Sequence, residues 1–194
     1  MNYKNEKKLL RNRMKKLRSE ISINMYRRQS QSIINKCLDL EEWQYASNVH
    51  IYISAINNEV ETLGLIYMMF DCGKRVIVPK CNIELHKIIS IQITSFEELS
   101  PSKYCLMEPD YNREKEIKPE ELDIIMTPLL AFDRNGGRLG LGGGYYDDLL
   151  GKCTCPKVGL GYSFQEVDKV PVEPHDVNLD IIVTENEIIR VKHE

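Results

Sequence analysis

Leu10, Met14, Leu17 and Ile21 recur at helical spacing and predict an N-terminal helix with one apolar stripe. Lys7, Arg11, Lys15 and Arg18 repeat that spacing on a second face, which reads as a solvated basic surface. The same spacing sets Lys7 and Arg11 one turn apart, within reach of a shared anion. Ser22 or Asn24 is placed to cap a second helix that turns Ile33, Ile34, Cys37 and Leu38 inward and ends near Leu40. Trp43, just beyond it, is expected in the core.

From there short β-branched runs alternate with helical stretches. Val49–Ile53, Arg75–Val78 (stopped by Pro79), Leu85–Ile93, Leu122–Met126, Lys157–Leu160 and Asp180–Thr184 predict strands. Val60–Phe70, ended by Asp71, Cys72 and Gly73, and Tyr145–Leu150 predict helices. Residues 97–122 are polar, hold three Pro, and predict a connection with little regular structure. Glu187–Val191 predicts a last hairpin strand, with Glu185-Asn186 at its turn. Helical crossovers between short apolar strands point to an α/β fold: an open, mostly parallel sheet with helices on both faces, a three-layer, Rossmann-like α/β/α arrangement with a basic N-terminal helix. Neither a composition break nor an internal repeat divides residues 1–194, so one domain is expected.

With 42% hydrophobic and 28% charged residues the composition is that of an ordinary globular protein. No apolar run approaches the length of a membrane helix, and the opening MNYKNEKKLLRNRMKKLR lacks the apolar centre of a secretory signal. Six Cys then read as reduced thiols, and the cytoplasm is the expected location. The net charge of −3 hides an asymmetry: residues 1–28 carry +8 and the rest −11. The basic arm should meet something anionic, whether the body of the protein, a phosphate ligand or nucleic acid.

Six of the eleven Gly fall in residues 136–144, between a predicted strand and a predicted helix. Backbone without Cβ can turn its N–H groups into a concave anion nest, the helix start adds to it, and Arg138 offers a fork of donors. The alternative is a flexible surface loop. No Walker sequence is present, nor a complete Gly-x-Gly-x-x-Gly fingerprint. Cys153-Thr-Cys155 lacks a second ligand pair for zinc, and His50, His86 and His193 have no partner constellation.

Arg138-Leu-Gly-Leu-Gly-Gly-Gly-Tyr-Tyr-Asp147, preceded by Thr127-Pro-Leu-Leu-Ala-Phe-Asp133, resembles the signature of the 5-formyltetrahydrofolate cyclo-ligases. Lys7-x-x-Leu10-Arg11, Ser54…Glu59-Val-Glu-Thr62 and Pro174-His-Asp176…Leu179-Asp-Ile-Ile-Val-Thr184 resemble further family segments, in order, so the likeness spans nearly the whole chain. It implies an ATP- and magnesium-dependent cyclisation of 5-formyltetrahydrofolate, with or without a polyglutamate tail, to 5,10-methenyltetrahydrofolate, ADP and phosphate. The formyl oxygen is phosphorylated first, because it is otherwise a poor leaving group. Phosphoryl transfer asks chiefly for alignment and charge stabilisation.

The resemblance also assigns residues. Lys7, Lys8, Leu9, Leu10 and Arg11 match ATP contacts, as do Arg138, Leu139, Gly140, Leu141, Gly142, Gly143, Gly144 and Tyr145. Arg138 and Asp147 are the catalytic candidates. Asp147 and Asp180 match magnesium ligands, and both are the hard oxygen donors that magnesium takes; the plainer readings are a helix-start charge and a strand-edge carboxylate. Ile53, Glu59, Tyr145 and Tyr146 match folate contacts. Glu59 can accept paired bonds from the amino-pterin edge, or it can cap the helix that follows it; one of the two tyrosines is expected in the core. Gly143 stands where some members carry Lys, and Asp148 where Arg often follows. These departures leave a second reading, a non-catalytic nucleotide- or folate-binding protein on the same scaffold. A monomer is expected, with no nucleic-acid or membrane partner.

Overall fold

Five parallel strands form the middle of one eight-stranded sheet, and antiparallel strands close both edges. The computed structural model describes residues 3–55, 58–102 and 106–192; His193 lies outside them. The helices are α1 (Tyr3–Ser19), α2 (Ile23–Leu38), α3 (Glu41–Tyr45), α4 (Leu63–Asp71) and α5 (Tyr145–Leu150). The strands are β1 (Asn48–Ile51), β2 (Arg75–Asn82), β3 (Lys87–Ile93), β4 (Leu99–Pro101), β5 (Met107–Pro109), β6 (Glu116–Ile117), β7 (Ile124–Pro128), β8 (Ala131–Phe132), β9 (Arg138–Leu139), β10 (Lys157–Leu160), β11 (Ile181–Val183) and β12 (Ile188–Arg190). The main sheet runs β12-β11-β10-β7-β1-β2-β3-β6; β4 pairs with β5 and β8 with β9.

Both faces of this sheet are covered, which is why its strands read as unbroken apolar runs. Val49, Ile51, Val76, Val78, Ile124 and Met126 face α2, α3 and α4, where Trp43 also packs. Ile77 and Ile125 point the other way, onto Leu149 and Leu150 of α5. Ser22 caps α2, its hydroxyl accepting from the Met25 N–H at 3.3 Å.

The structure corrects three local expectations. Pro79 does not stop its strand: β2 runs on to Asn82. The register of β1 against β2 ends at His50↔Ile77, so beyond that point β2 is a free edge on one side and needs no N–H there. Among the described residues of 97–122 there are three short strands, β4, β5 and β6; two or three residues carry no readable period, β4 and β5 pair with each other, and β6 pairs with β3. Finally, α1 docks through part of both faces: Leu10 and Met14 of its apolar stripe pack inward, and so do Lys7 and Arg18 of its basic one. Its buried residues are Lys7, Met14 and Arg18, while Leu17 lies at the surface, because the helix settles over a polar cavity as well as apolar packing.

Candidate active site

A cavity of about 700 Å³ opens where β1 and β7 end, and Ile53, Pro128 and Leu129 form its floor. The carboxyl ends of parallel strands are the usual ligand position in open α/β sheets. α1 covers one side of the cavity and the glycine loop the other.

Glu59 reaches the cavity because the chain beyond β1 is tied back on itself. Ser54 and Thr62 exchange bonds, each backbone N–H donating to the other's hydroxyl at 3.1 Å. The Tyr52 hydroxyl donates to the Val60 carbonyl at 2.9 Å. The start of α4 is served by Glu61, whose Oε1 accepts from the Leu63 and Gly64 N–H groups. Glu61 therefore does the capping, and Glu59 stands in the cavity wall, 8% exposed, close to Ile53.

The glycine-rich stretch divides into two parts with different jobs. Gly136 and Gly137 belong to the turn between β8 and β9, built around buried Asp133: Oδ1 accepts from the Gly137 N–H at 3.1 Å, Oδ2 from the Val170 N–H at 2.8 Å. A Cβ at Gly137 would lie 2.5 Å from Asp133 Oδ2, so the glycine is a packing requirement. Gly140, Gly142, Gly143 and Gly144 line the cavity together with Leu139 and Leu141. Arg11 lies over this part, and its Nε donates to the Gly140 carbonyl at 2.9 Å.

β9 presents Arg138 from inside. Its Nη2 donates to Asp147 Oδ1 at 2.9 Å, and the Val177 N–H meets the same oxygen at 3.2 Å. Burial holds the Arg138 guanidinium below its ordinary pKa, against the pull of Asp147. Arg138 Nε is buried with no hydrogen-bond partner. Tyr145 stacks on His86 with ring centres 4.6 Å apart. Tyr146 is half-buried and edge-on to His50; its buried hydroxyl has no partner, and burial raises its pKa.

Of the five α1 positions, only Lys7 and Arg11 line the cavity. Lys8 and Leu9 are exposed, and Leu10 packs against the cluster of Met14, Leu139 and Val170. A helix can turn only one face to the cavity, so five consecutive residues cannot all meet one ligand. The Lys7 ammonium is held by Asp176 Oδ2 at 2.5 Å and Glu173 Oε2 at 2.8 Å. Asp180 does not line the cavity with Asp147. It precedes β11 at the opposite, amino end of the parallel strands, where its carboxylate accepts the Lys157 N–H at 2.8 Å. Among the described residues no three His, Cys, Asp or Glu gather at metal-binding distance.

The model of the 5-formyltetrahydrofolate cyclo-ligase family matches residues 3–185. The chain belongs to that family. It is an enzyme of folate chemistry, a cyclo-ligase. The 5-formyltetrahydrofolate cyclo-ligase of Haemophilus influenzae is 33% identical over 90% of this chain and 95% of its own, and that of Mus musculus is 28% identical over 93% and 94%. The solved 5,10-methenyltetrahydrofolate synthetase of Aquifex aeolicus superposes with a TM-score of 0.85 at 32% identity, over 97% of this chain and 94% of its own. That of Mycoplasma pneumoniae gives 0.75 at 27%, over 95% and 99%.

The two departures from the cyclo-ligase signature have structural counterparts. Beside Gly143, the positive charge over the loop is that of Arg11. Asp148 points outward and pairs with Lys152 at 2.7 Å. Sequence reasoning missed two buried charged residues in the wall of this cyclo-ligase, Arg18 and Glu108. Arg18, read as surface, is 1% exposed and lines the cavity; its place two helical turns beyond Arg11 was the available signal. Glu108, buried on β5 and paired with Lys80 at 3.3 Å, gave no signal, since it lies in the stretch expected to be irregular. Among the described residues no helix is long and apolar enough to cross a membrane.

Proposed function

We propose that this cavity joins MgATP to 5-formyltetrahydrofolate and closes the folate ring, with ATP at the glycine loop and the pterin at Glu59. The observation that carries this reading is that one cavity connects two chemically different ends. At one end four glycines lie under Arg11 beside Arg138; at the other a buried carboxylate stands among Tyr52, Ile53 and Tyr146. The partnerless Arg138 Nε and the cradle at Gly142, which a Cβ would fill, suit phosphate oxygens.

Arg11 and Arg138 hold the phosphates in line with the formyl oxygen and balance their charge. Lys7, engaged by Glu173 and Asp176, fixes the angle at which α1 presents Arg11. Glu59 accepts from the pterin amino and ring N–H donors, and Ile53 and Tyr146 pack against the ring. So placed, the formyl oxygen takes the γ-phosphoryl group and ADP leaves. N10 then attacks the activated carbon, that carbon–oxygen bond breaks, phosphate departs with the oxygen, and N10 gives up its proton. Magnesium, which keeps several waters and needs one or two carboxylates, would neutralise phosphate charge, and Asp147 is the residue to hold it: both bonds it accepts end on Oδ1. Asp180, away from the cavity wall, takes no part. In this reading the chain acts as a monomer in the cytoplasm.

The test is incubation with 5-formyltetrahydrofolate and MgATP. The ultraviolet-absorbing methenyl product should appear with one ADP per product. ATP-stabilised, folded protein that makes neither would leave the non-catalytic binding reading in its place.

A further inference from the structure

Arg18 is the largest fully buried side chain on the α1 side of the cavity, and with Lys7 it is one of the two buried charges on that helix. Its Nη1 donates to the Leu129 carbonyl at 3.3 Å, at the end of β7, and its own carbonyl accepts from Asn58 Nδ2 at 2.9 Å. It shares the end of the cavity formed by Tyr52, Ile53, Leu129 and Glu59. Burial lowers its pKa, and the Glu59 carboxylate is the strongest charge acting the other way. A guanidinium of this kind, costly to bury, lines the same cavity as the buried Glu59 carboxylate and feels its charge.

We propose that Arg18 and Glu59 together read the pyrimidine edge of the pterin, Glu59 accepting from its amino and ring N–H groups and Arg18 donating to its 4-oxo oxygen. The proposal rests on the assignment of Glu59 to the pterin. The edge of a 2-amino-4-oxo pyrimidine presents two donors followed by one acceptor, and a carboxylate beside a guanidinium presents the complementary order. Glu59 takes the donors, of which the ring N–H is present only with the 4-oxo group, and Arg18 reads the oxo oxygen itself. A 4-amino-4-deoxy pterin puts a donor where Arg18 also donates, which the pair disfavours.

The test compares wild type with Arg18→Met and Arg18→Lys, titrated with 5-formyltetrahydrofolate and with a 4-amino-4-deoxy folate analogue, alongside the KM for ATP. Arg18→Met should weaken the 4-oxo ligand about 10- to 100-fold, the loss of a charged hydrogen bond, and leave the 4-amino analogue unchanged or tighter. The KM for ATP should stay within about threefold, because Arg11 keeps its seat at Gly140. If Arg18 merely anchors α1, Arg11 moves with it: both folates and ATP then weaken together, and the proposal falls. It falls equally if the ratio between the two folates does not change. Should Arg18→Met lack a cooperative thermal transition, Arg18→Lys decides, since it keeps the charge and loses the planar fork. It should reduce the 4-oxo over 4-amino ratio at least threefold, and an unchanged ratio overturns the idea. Loss of Glu59 in Glu59→Gln with no effect on either folate would instead remove the pterin assignment itself.

Discussion

Arg11 lies across the backbone at Gly142: a Cβ there would stand 3.1 Å from the guanidinium carbon, on a residue whose φ is +107°. The pair couples the basic helix to the phosphate loop. Gly142→Ala must both strain the backbone and push Arg11 off the loop. We expect about 1–3 kcal/mol lower stability and a KM for ATP raised at least tenfold, seen in thermal unfolding and steady-state kinetics. An alanine variant with wild-type KM would show that Arg11 does not serve the phosphates.

Asp147 gives Oδ1 to both Arg138 and the Val177 N–H. Asp147→Asn keeps the shape and removes the charge that faces a buried guanidinium. Its kcat should fall at least a hundredfold, with about 3 kcal/mol lost in denaturant melts. Asp180→Asn, at the far end of the strands, should keep kcat within about threefold; a comparable collapse there would return Asp180 to the metal site.

The clasp of Lys7 with Asp176 and Glu173 sets a pH window. Burial raises the Asp176 pKa, but the bonds from Lys7 and the Glu173 N–H outweigh it and hold the group below 3.8. A lowered carboxylate pKa stabilises above the unfolded value and loses that stabilisation as pH falls through the folded one. Burial also lowers Lys7, yet its two carboxylates leave it above 10.5, so its share is present below that value and is lost as pH rises through the folded one. Asp176→Asn should therefore cost about 2 kcal/mol between roughly pH 5 and 9 and converge on wild type in strong acid. Urea melts across pH measure this; a deficit that persists below the folded pKa contradicts it.

His50 is wholly buried on β1, neither ring nitrogen has a hydrogen-bond partner, and burial brings its pKa down to about 3 from 6.5. The unfolded chain binds a proton below pH 6.5 that the folded chain refuses, so stability falls between pH 6.5 and 3, by about 1.4 kcal/mol per unit at the steepest. His50→Leu should remove this slope and raise the melting temperature at pH 5 more than at pH 8. An equal change at both pH values would mean that the imidazole is not held neutral.

Most of the sheet was legible in the sequence because both of its faces are buried, which makes β1, β2, β7, β10 and β11 read as apolar runs. The glycine loop was legible because nothing else places so many residues without Cβ ahead of a helix. The short strands of residues 97–122 were not, since two or three residues carry no period and β6 is set by a partner, β3, distant in sequence. Glu108 and its tie to Lys80 went unseen with them.

By itself, the sequence determined the α/β class and the glycine loop with Arg138, because period, glycine placement and residue chemistry are local properties; its resemblance to the family supplied the candidates Glu59, Tyr146 and Asp147. Only the tertiary structure decided which basic residues of α1 face the cavity. Periodicity gives Lys7, Arg11, Lys15 and Arg18 one shared face, but the rotation of a docked helix depends on what lies beneath it. Beneath α1 lie the end of β7, the glycine loop and the segment at Glu173 and Asp176, so Lys7 becomes a clasp, Arg11 covers the loop and Arg18 is buried beside the cavity. The same holds for Asp147 and Asp180. Both are hard donors by residue type, and the direction of β11 puts them at different ends of the sheet.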